Sequence, residues 1–333
     1  MHYSWRLFAL VAFLIPLLYV RAQAEEEEAT SKGSPVGSTL LRLPSKTLGG
    51  DQYWADEFIH GDWRIQRQAL TGNYRLLDPS DHRRAYGDYD ACRSEFDKLR
   101  KTEEIPALKK EAVVLLHGLL RSRDTMQPLA KLLQEQTPWE IINFTYPSSC
   151  GTVSEHAAVL DKMLSRLEGV EKIHFVGHSL GNLVVRHWMS DQLQQQKRID
   201  PRVQRFVMLG PPNNGAQMAE RFESNLLFGM VMGQSGKQLA KNWSHLDGKL
   251  CVPPCEFGIL AGNAGLNPLI DGDDDLCVAV EETKLPGAAD FRVLPLNHST
   301  LRTDANAQRF TLEFLRNGFF ESNDKRQSLR SEP

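Results

Sequence analysis

The chain has 333 residues, of which 41% are hydrophobic and 24% are charged, and its formal net charge is only −3. This composition is typical of a globular protein and excludes extended disorder and a coiled coil. The isoelectric point is about 6.4, and Lys and Arg are interspersed with Asp and Glu, so the basic surface that nucleic-acid binding requires is not predicted.

The N-terminal segment is typical of a secretory signal peptide. Arg6 precedes an apolar run at 7–20, and Ala22 and Ala24 place small residues at the positions that determine cleavage. The alternative is an uncleaved membrane anchor, but a spanning helix needs about 20 apolar residues. This run has 14, with Pro16 inside it. We expect cleavage near Ala24 and export to the periplasm or the cell exterior, with N-terminal membrane anchoring as the alternative.

The rest of the chain divides by composition. Residues 25–45 are acidic and then rich in Ser, Gly and Pro, which predicts a flexible linker, and 319–333 are a polar tail. Residues 46–318 are predicted to form one domain, in which 46–104 precede the first core strand and form a hairpin and a helix at one edge of the sheet. An apolar run at 226–232 within 215–250 indicates a lid.

Short apolar runs alternate with segments of helical periodicity, which predicts a doubly wound, mostly parallel α/β sheet. The predicted strands are Ala112 to Leu116, Ile141 to Phe144, Ile173 to Val176, Val203 to Leu209, Phe257 to Leu260 and Phe291 to Leu294. The predicted helices are Thr125 to Gln136, Ser154 to Leu167, Leu180 to Gln196 and Ala305 to Asn317.

The sequence Gly177-His178-Ser179-Leu180-Gly181 lies between a predicted strand and a predicted helix. A Gly-x-Ser-x-Gly match is weak by itself, but strand, tight turn and helix are the setting in which such a serine is a nucleophile. The flanking glycines allow the strained turn to pass close to both elements. Ser179 is therefore the predicted nucleophile, and the Leu180 N–H at the helix start is a predicted oxyanion donor.

A second oxyanion donor is predicted in the loop after the first core strand. His117-Gly118-Leu119 follows that strand directly, about 60 residues before the nucleophile. We assign the Leu119 N–H as the donor. His117 and His178 are interpreted as packing residues rather than bases.

A serine nucleophile needs a general base and an orienting carboxylate, and in this fold class the acid and then the base follow the serine along the chain. His298 follows the last predicted strand and is the predicted base, whereas His187 lies on the helix after Ser179 and His245 lies in the lid region. Asp275 is the predicted acid because apolar residues follow it directly, with Asp271 and Asp274 as alternatives.

Five cysteines and three Asn-x-Ser/Thr sequons remain after the predicted cleavage site. Cys251 and Cys255 flank a short Val-Pro-Pro turn that is compatible with a local disulfide and equally with two free thiols, and the odd count leaves at least one cysteine unpaired. The sequon at Asn297 adjoins the predicted base, so a glycan there would crowd the site. We expect Asn297 to be unmodified.

Together these segments resemble the lipase and esterase branch of the α/β-hydrolase superfamily, close to bacterial triacylglycerol-lipase-like proteins. The resemblance covers residues 111 to 318. The family acid often stands in Asn-Asp-Gly, whereas this chain has Asp274-Asp275-Leu276. The turn 211–215, Pro-Pro-Asn-Asn-Gly, is comparable to one that lines the pocket in such families.

The resemblance implies a serine hydrolase that cleaves carboxylic esters through an acyl-enzyme, with a small-molecule or lipid ester as its substrate. Contact with a membrane would be transient and through the lid. The implied mechanism requires no metal or organic cofactor, and the sequence has neither a Walker nor a dinucleotide glycine pattern. The charge distribution gives no expectation of a nucleic-acid partner. The alternatives are a lipid acyltransferase with the same triad and a non-catalytic binding module of the same fold.

Overall fold

The computed structural model describes residues 50–215, 235–236, 238, 243–267 and 270–329. The predicted signal peptide and linker, most of the predicted lid with its apolar run at 226–232, and the end of the tail lie outside the described residues. Among the described helices, none has the length and apolar character needed to cross a membrane.

The N-terminal part of the domain is a four-stranded antiparallel sheet followed by a helix. Its strands lie in the order β1-β2-β3-β4. The elements are β1 (Trp54–His60), β2 (Trp63–Gln68), β3 (Tyr74–Leu77), β4 (Arg83–Gly87) and helix α1 (Tyr89–Thr102). The sequence predicted a hairpin and a helix here; the helix is present, but the sheet has four strands rather than the two of a hairpin. All seven residues of β1 are buried, including Asp56 and Glu57, so the strand lacks the alternation that identifies a half-exposed strand.

The main sheet has six parallel strands in the order β10-β9-β8-β7-β5-β6. Each predicted core strand is present within two residues of its predicted bounds, and the predicted fold class is confirmed. The strands are β5 (Glu111–Leu116), β6 (Glu140–Phe144), β7 (Lys172–His178), β8 (Val203–Leu209), β9 (Glu256–Gly262) and β10 (Asp290–Leu294).

Helices cover both faces of this sheet, as a parallel sheet requires. They are α2 (Gln127–Gln136), α3 (Val153–Ser165), α4 (Leu180–Gln196), α5 (Trp243–Asp247), α6 (Val280–Thr283) and α7 (Ala305–Asn317). The helix predicted to begin at Thr125 begins at Gln127, because a 3-10 turn at Arg123–Met126 precedes it.

The alternation of side chains along β5 shows how the core is divided. Val113 and Leu115 pack in one cluster with α2 and α7, whereas Val114 and Leu116 pack in the other with α3 and α4. All four side chains are fully buried, and each such burial stabilises the fold by about 1.5–3 kcal/mol. This two-sided packing fixes the carboxyl ends of the strands, where the candidate site lies.

A buried carboxylate on β1 joins the N-terminal sheet to the main sheet. Asp56 on β1 accepts hydrogen bonds from the backbone N–H of Thr145, just after β6, at 2.7 Å and from Arg64 at 2.6 Å. The Asp56 N–H donates in turn to the Thr145 carbonyl at 2.9 Å. A buried ion pair with these additional bonds fixes β1 against the end of β6.

Candidate active site

Ser179 lies between β7 and α4 in a strained backbone conformation. Its φ of 53° and ψ of −121° are rarely adopted by residues other than glycine, and such strain costs about 1–3 kcal/mol. The Ser179 N–H donates to the Leu209 carbonyl of β8 at 3.0 Å, which fixes the turn on the neighbouring strand. This is the geometry that a Gly-x-Ser-x-Gly nucleophile turn requires.

The two glycines of the motif are required by close backbone approach. A Cβ at Gly181 would stand 2.5 Å from the Leu116 carbonyl oxygen of β5, and one at Gly177 would stand 2.8 Å from the Asn182 backbone nitrogen. Neither contact can be relieved by a side-chain rotation, because backbone atoms are involved. The glycines therefore let α4 start directly against the sheet.

The loop after β5 passes beside Ser179. A Cβ on Gly118 would lie 3.1 Å from the Ser179 Cβ, and the Gly118 carbonyl accepts the Arg121 N–H at 3.3 Å, which closes a turn. Leu120 within this turn has a φ of 56°. The Leu119 N–H is central in the turn and is not used to close it, and the Leu180 N–H is at the first position of α4, where no intrahelical partner exists. Both predicted oxyanion donors thus belong to segments that border Ser179.

His117 fixes this loop through its contacts with Tyr146. Its carbonyl accepts the Tyr146 hydroxyl at 2.5 Å, and the two rings stack with their centroids 4.3 Å apart. Complete burial lowers the pKa of His117 to about 4, so the imidazole stays neutral at physiological pH. Sequence reasoning did not single out Tyr146, which is identified only by its position after β6.

His298 and Asp275 form a close hydrogen-bonded pair. The His298 Nδ1 lies 2.6 Å from the Asp275 Oδ2, and the His298 backbone N–H donates to the Asp275 carbonyl at 2.7 Å. The other carboxylate oxygen of Asp275 accepts the backbone N–H groups of Cys277 at 3.0 Å and Val278 at 2.8 Å. Asp275 is completely buried, so its charge is satisfied by these donors rather than by water.

His178 holds the backbone of His298. The His178 Nε2 lies 2.8 Å from the His298 carbonyl oxygen, and since a carbonyl only accepts, this nitrogen carries the proton. Burial and then the charge of the neighbouring His298 hold the pKa of His178 well below its usual range. The ring centroids of His178 and His298 are 4.7 Å apart. His178 is thus a neutral positioning residue.

The remaining candidates lie in other surroundings. Asp274 accepts the Leu276 N–H at 2.6 Å and the Asn267 N–H at 3.3 Å, and Asp271 is exposed. His187 pairs with Asp191 on the same helix at 3.0 Å, and His245 is exposed on α5. Of the three candidate acids, Asp275 is the one that contacts His298.

Two glycines that sequence reasoning did not select allow the pair to form. A Cβ on Gly210, just after β8, would lie 3.0 Å from the His298 Nδ1 and 3.1 Å from the Asp275 Oδ2. A Cβ on Gly262, at the end of β9, would stand 2.9 Å from the Asp275 Cβ. Gly210 directly precedes the Pro-Pro-Asn-Asn-Gly turn. The feature of the sequence that could have identified it is a glycine at the end of a central strand.

A buried cation on α4 fixes the Pro-Pro-Asn-Asn-Gly turn. Arg186 on α4 donates to the Asn213 side-chain oxygen at 3.0 Å and to the Cys251 carbonyl at 2.9 Å. Burial lowers the pKa of Arg186 to about 10, so the guanidinium remains charged at neutral pH. Cys251 and Cys255 are both free thiols, as are the other three cysteines, and the local disulfide considered from the sequence is not formed.

Leu276 explains the departure from the family motif. It has a φ of 84°, a conformation that favours glycine, so the position where the family often has glycine keeps the glycine conformation here. The Leu276 N–H donates to Asp274 and its carbonyl accepts the Asn267 side chain at 2.8 Å. These bonds hold the strained residue, and through it the Asp275 turn.

The strain at this position gives a stability prediction. Leu276→Gly and Leu276→Ala both remove the side chain, but only alanine is strained at positive φ. We expect the glycine variant to be more stable than the alanine variant by about 1 kcal/mol, the reverse of the usual order. Urea unfolding of the two proteins measures the difference, and a more stable alanine variant would show that the backbone relaxes away from this conformation.

Comparison with known proteins supports the fold seen here. The mature lipase BlEst2 of Bacillus licheniformis is 18% identical to the chain, with a TM-score of 0.52 over 64% of this chain and 96% of the lipase. The chain has the α/β-hydrolase fold. The propeptide form of the same lipase is also 18% identical, with a TM-score of 0.50 over 67% of this chain and 53% of that one. No curated protein matches the chain.

A family profile matches part of the same core. The profile of the palmitoyl protein thioesterases matches residues 112–249, a segment that begins in β5 and includes Ser179. The match covers less than half of the chain and ends before Asp275 and His298. In the unit that presents the candidate nucleophile, the chain is therefore similar to the palmitoyl protein thioesterases.

Proposed function

We propose that the chain is a serine hydrolase that cleaves carboxylic esters, with Ser179 as nucleophile, His298 as general base and Asp275 as the orienting acid. The observation that carries the proposal is the 2.6 Å contact between His298 and a fully buried Asp275. The strained turn at Ser179 supports it. A buried carboxylate paired with a partly exposed imidazole is the arrangement that activates a serine hydroxyl.

The mechanism follows from the hydrogen bond that already occupies one ring nitrogen of His298. Because Asp275 holds the His298 Nδ1, the Nε2 is left to take the Ser179 proton as the hydroxyl attacks the ester carbonyl. The N–H groups of Leu119 and Leu180 stabilise the oxyanion, an effect worth about 2.7–4 kcal/mol per donor. His298 then protonates the leaving alcohol, and water, activated by the same base, releases the acid.

A second substrate class, thioesters, is favoured by the palmitoyl protein thioesterase match over residues 112–249. The same triad accepts either carbonyl, and a thiolate leaves without needing a proton from His298. A lipid acyltransferase would use the same acyl-enzyme with an alcohol in place of water. The export proposed from residues 1–24 and a lipid-facing lid are compatible with each of these.

The test is a panel of matched substrates. We expect hydrolysis of p-nitrophenyl esters and of the corresponding acyl thioesters of rising chain length. When each rate is divided by the uncatalysed hydrolysis rate of the same substrate, we expect the oxyester value to exceed the thioester value. The reverse ratio would make the protein a thioesterase. Transfer to an added alcohol at the expense of hydrolysis would indicate the acyltransferase, and no turnover of any member would favour the binding module.

A further inference from the structure

A thiol lies beside the acid and base of the proposed triad, and the mechanism does not use it. Asp275, Cys277 and His298 each offer one metal-ligating atom, and these three atoms lie within 4.8 Å of one another. Cys277 is partly exposed and carries no disulfide. The backbone N–H of Cys277 donates to Asp275 at 3.0 Å, so Cys277 is held on the same tight turn as the acid.

The three atoms are the sulfur, nitrogen and oxygen ligands that Zn²⁺ accepts together. Zinc sites with three protein ligands hold them at about 2.0–2.3 Å and leave the fourth position to water. Two ligands on one tetrahedral ion lie roughly 3.3–3.8 Å apart, which follows from those bond lengths. The 2.6 Å contact between His298 and Asp275 must therefore open by about 1 Å, a shift that a partly exposed imidazole ring can make.

We infer that Asp275, Cys277 and His298 form an inhibitory site for Zn²⁺, an inference that rests on the proposed function. The thiolate selects a borderline-soft cation over Mg²⁺ or Ca²⁺, which prefer oxygen ligands. The site differs from a catalytic zinc centre because the ion occupies the groups that the reaction needs. Binding of the ion and turnover of an ester are mutually exclusive.

The ion inhibits the reaction whether it binds Nδ1 or Nε2 of His298. When Nδ1 is the ligand, the ring proton moves to Nε2, so His298 has no lone pair to receive the Ser179 proton. When Nε2 is the ligand, its lone pair is used by the metal. In both cases the Cys277 thiol forms a bond from sulfur to Zn²⁺ and its one proton leaves to solvent, which balances the step.

The activity test compares two thiol variants. Zn²⁺ is titrated against ester hydrolysis, and each rate is divided by the same protein's rate without metal. We expect Cys277→Ser to raise the half-inhibiting Zn²⁺ concentration at least about tenfold, because loss of a ligand costs no less than loss of an outer-shell partner. Cys150→Ser, which changes another partly buried thiol, should leave it unchanged, and Mg²⁺ should not inhibit. Equal half-inhibiting concentrations in wild type and Cys277→Ser would overturn the inference.

A second measurement does not depend on activity. Co²⁺ is added to Ser179→Ala, which keeps all three ligands, and the thiolate-to-cobalt absorption is recorded. We expect the band in Ser179→Ala and its loss when Cys277→Ser or Cys277→Ala is added. If the wild-type protein hydrolyses no ester and Ser179→Ala still shows the band, the site is supported and the proposed function is refuted. Absence of the band in a folded Ser179→Ala protein would refute the site alone.

Discussion

Ser179→Ala is expected to lower kcat for ester hydrolysis by about 10⁶, since removal of a triad serine costs nearly as much as removal of the whole triad. The substitution deletes only the hydroxyl, at a residue whose side chain makes no capping bond to α4. The fold should therefore be retained, and the residual rate is set by the oxyanion donors. Steady-state kinetics on a p-nitrophenyl ester measure the loss.

Ser190→Ala is the matched control for this change. Ser190 is a buried serine on the same helix, and its hydroxyl accepts a bond from the Gln194 side chain at 3.3 Å. We expect its kcat to stay within a few-fold of wild type. If Ser179→Ala retained more than a hundredth of the activity, another residue would have to be the nucleophile.

Asp275→Asn should lower kcat by about 10⁴, which is the loss seen when the triad acid can no longer fix the tautomer of its histidine. The amide nitrogen that this substitution introduces can donate to the His298 Nδ1, so the imidazole would carry its proton on Nε2 and could not accept one from Ser179. KM should change little, because the carboxylate is buried behind the base. The measurement is the separate effect on kcat and KM.

Asp274→Asn and Asp271→Asn are the matched controls for the acid. The Asp274 carboxylate accepts the Leu276 and Asn267 N–H groups, and an asparagine oxygen can keep one of these bonds. We expect a loss of about tenfold or less for Asp274→Asn and almost none at exposed Asp271. A loss at Asp274 as large as that at Asp275 would mean that the acidic turn acts as a unit.

The sequence was informative where local physics decides the structure. The core strands carry apolar residues on both faces because helices cover both sides, so their apolar runs identify them, as at 112–116 in β5. The setting of Ser179 could be read in the same way, because the glycines of a strand-to-helix turn leave a fixed pattern. The order of the nucleophile and the base along the chain then limited the choice to a few histidines.

The sequence was less informative where contacts between distant segments determine the structure. The sequence does not show which of the four aspartates in one turn is the acid. The backbone conformation of the turn, which places Leu276 at positive φ, decides which carboxylate reaches His298. Gly210 acts through its closeness to His298 and Asp275, from a strand distant in sequence. The N-terminal sheet was underestimated because Asp56 and Glu57 are buried in β1, where their charges are satisfied by Arg64 and Arg166.

The most direct test of Ser179 as an activated nucleophile is the site of covalent reaction with a fluorophosphonate. The wild-type protein is treated with the reagent, digested and examined by mass spectrometry, beside a sample unfolded before treatment. The triad predicts one adduct, on the peptide that contains Ser179, with none in the unfolded sample or in Ser179→Ala. An adduct on a different residue, or a folded wild-type protein that takes no label, would contradict the assignment.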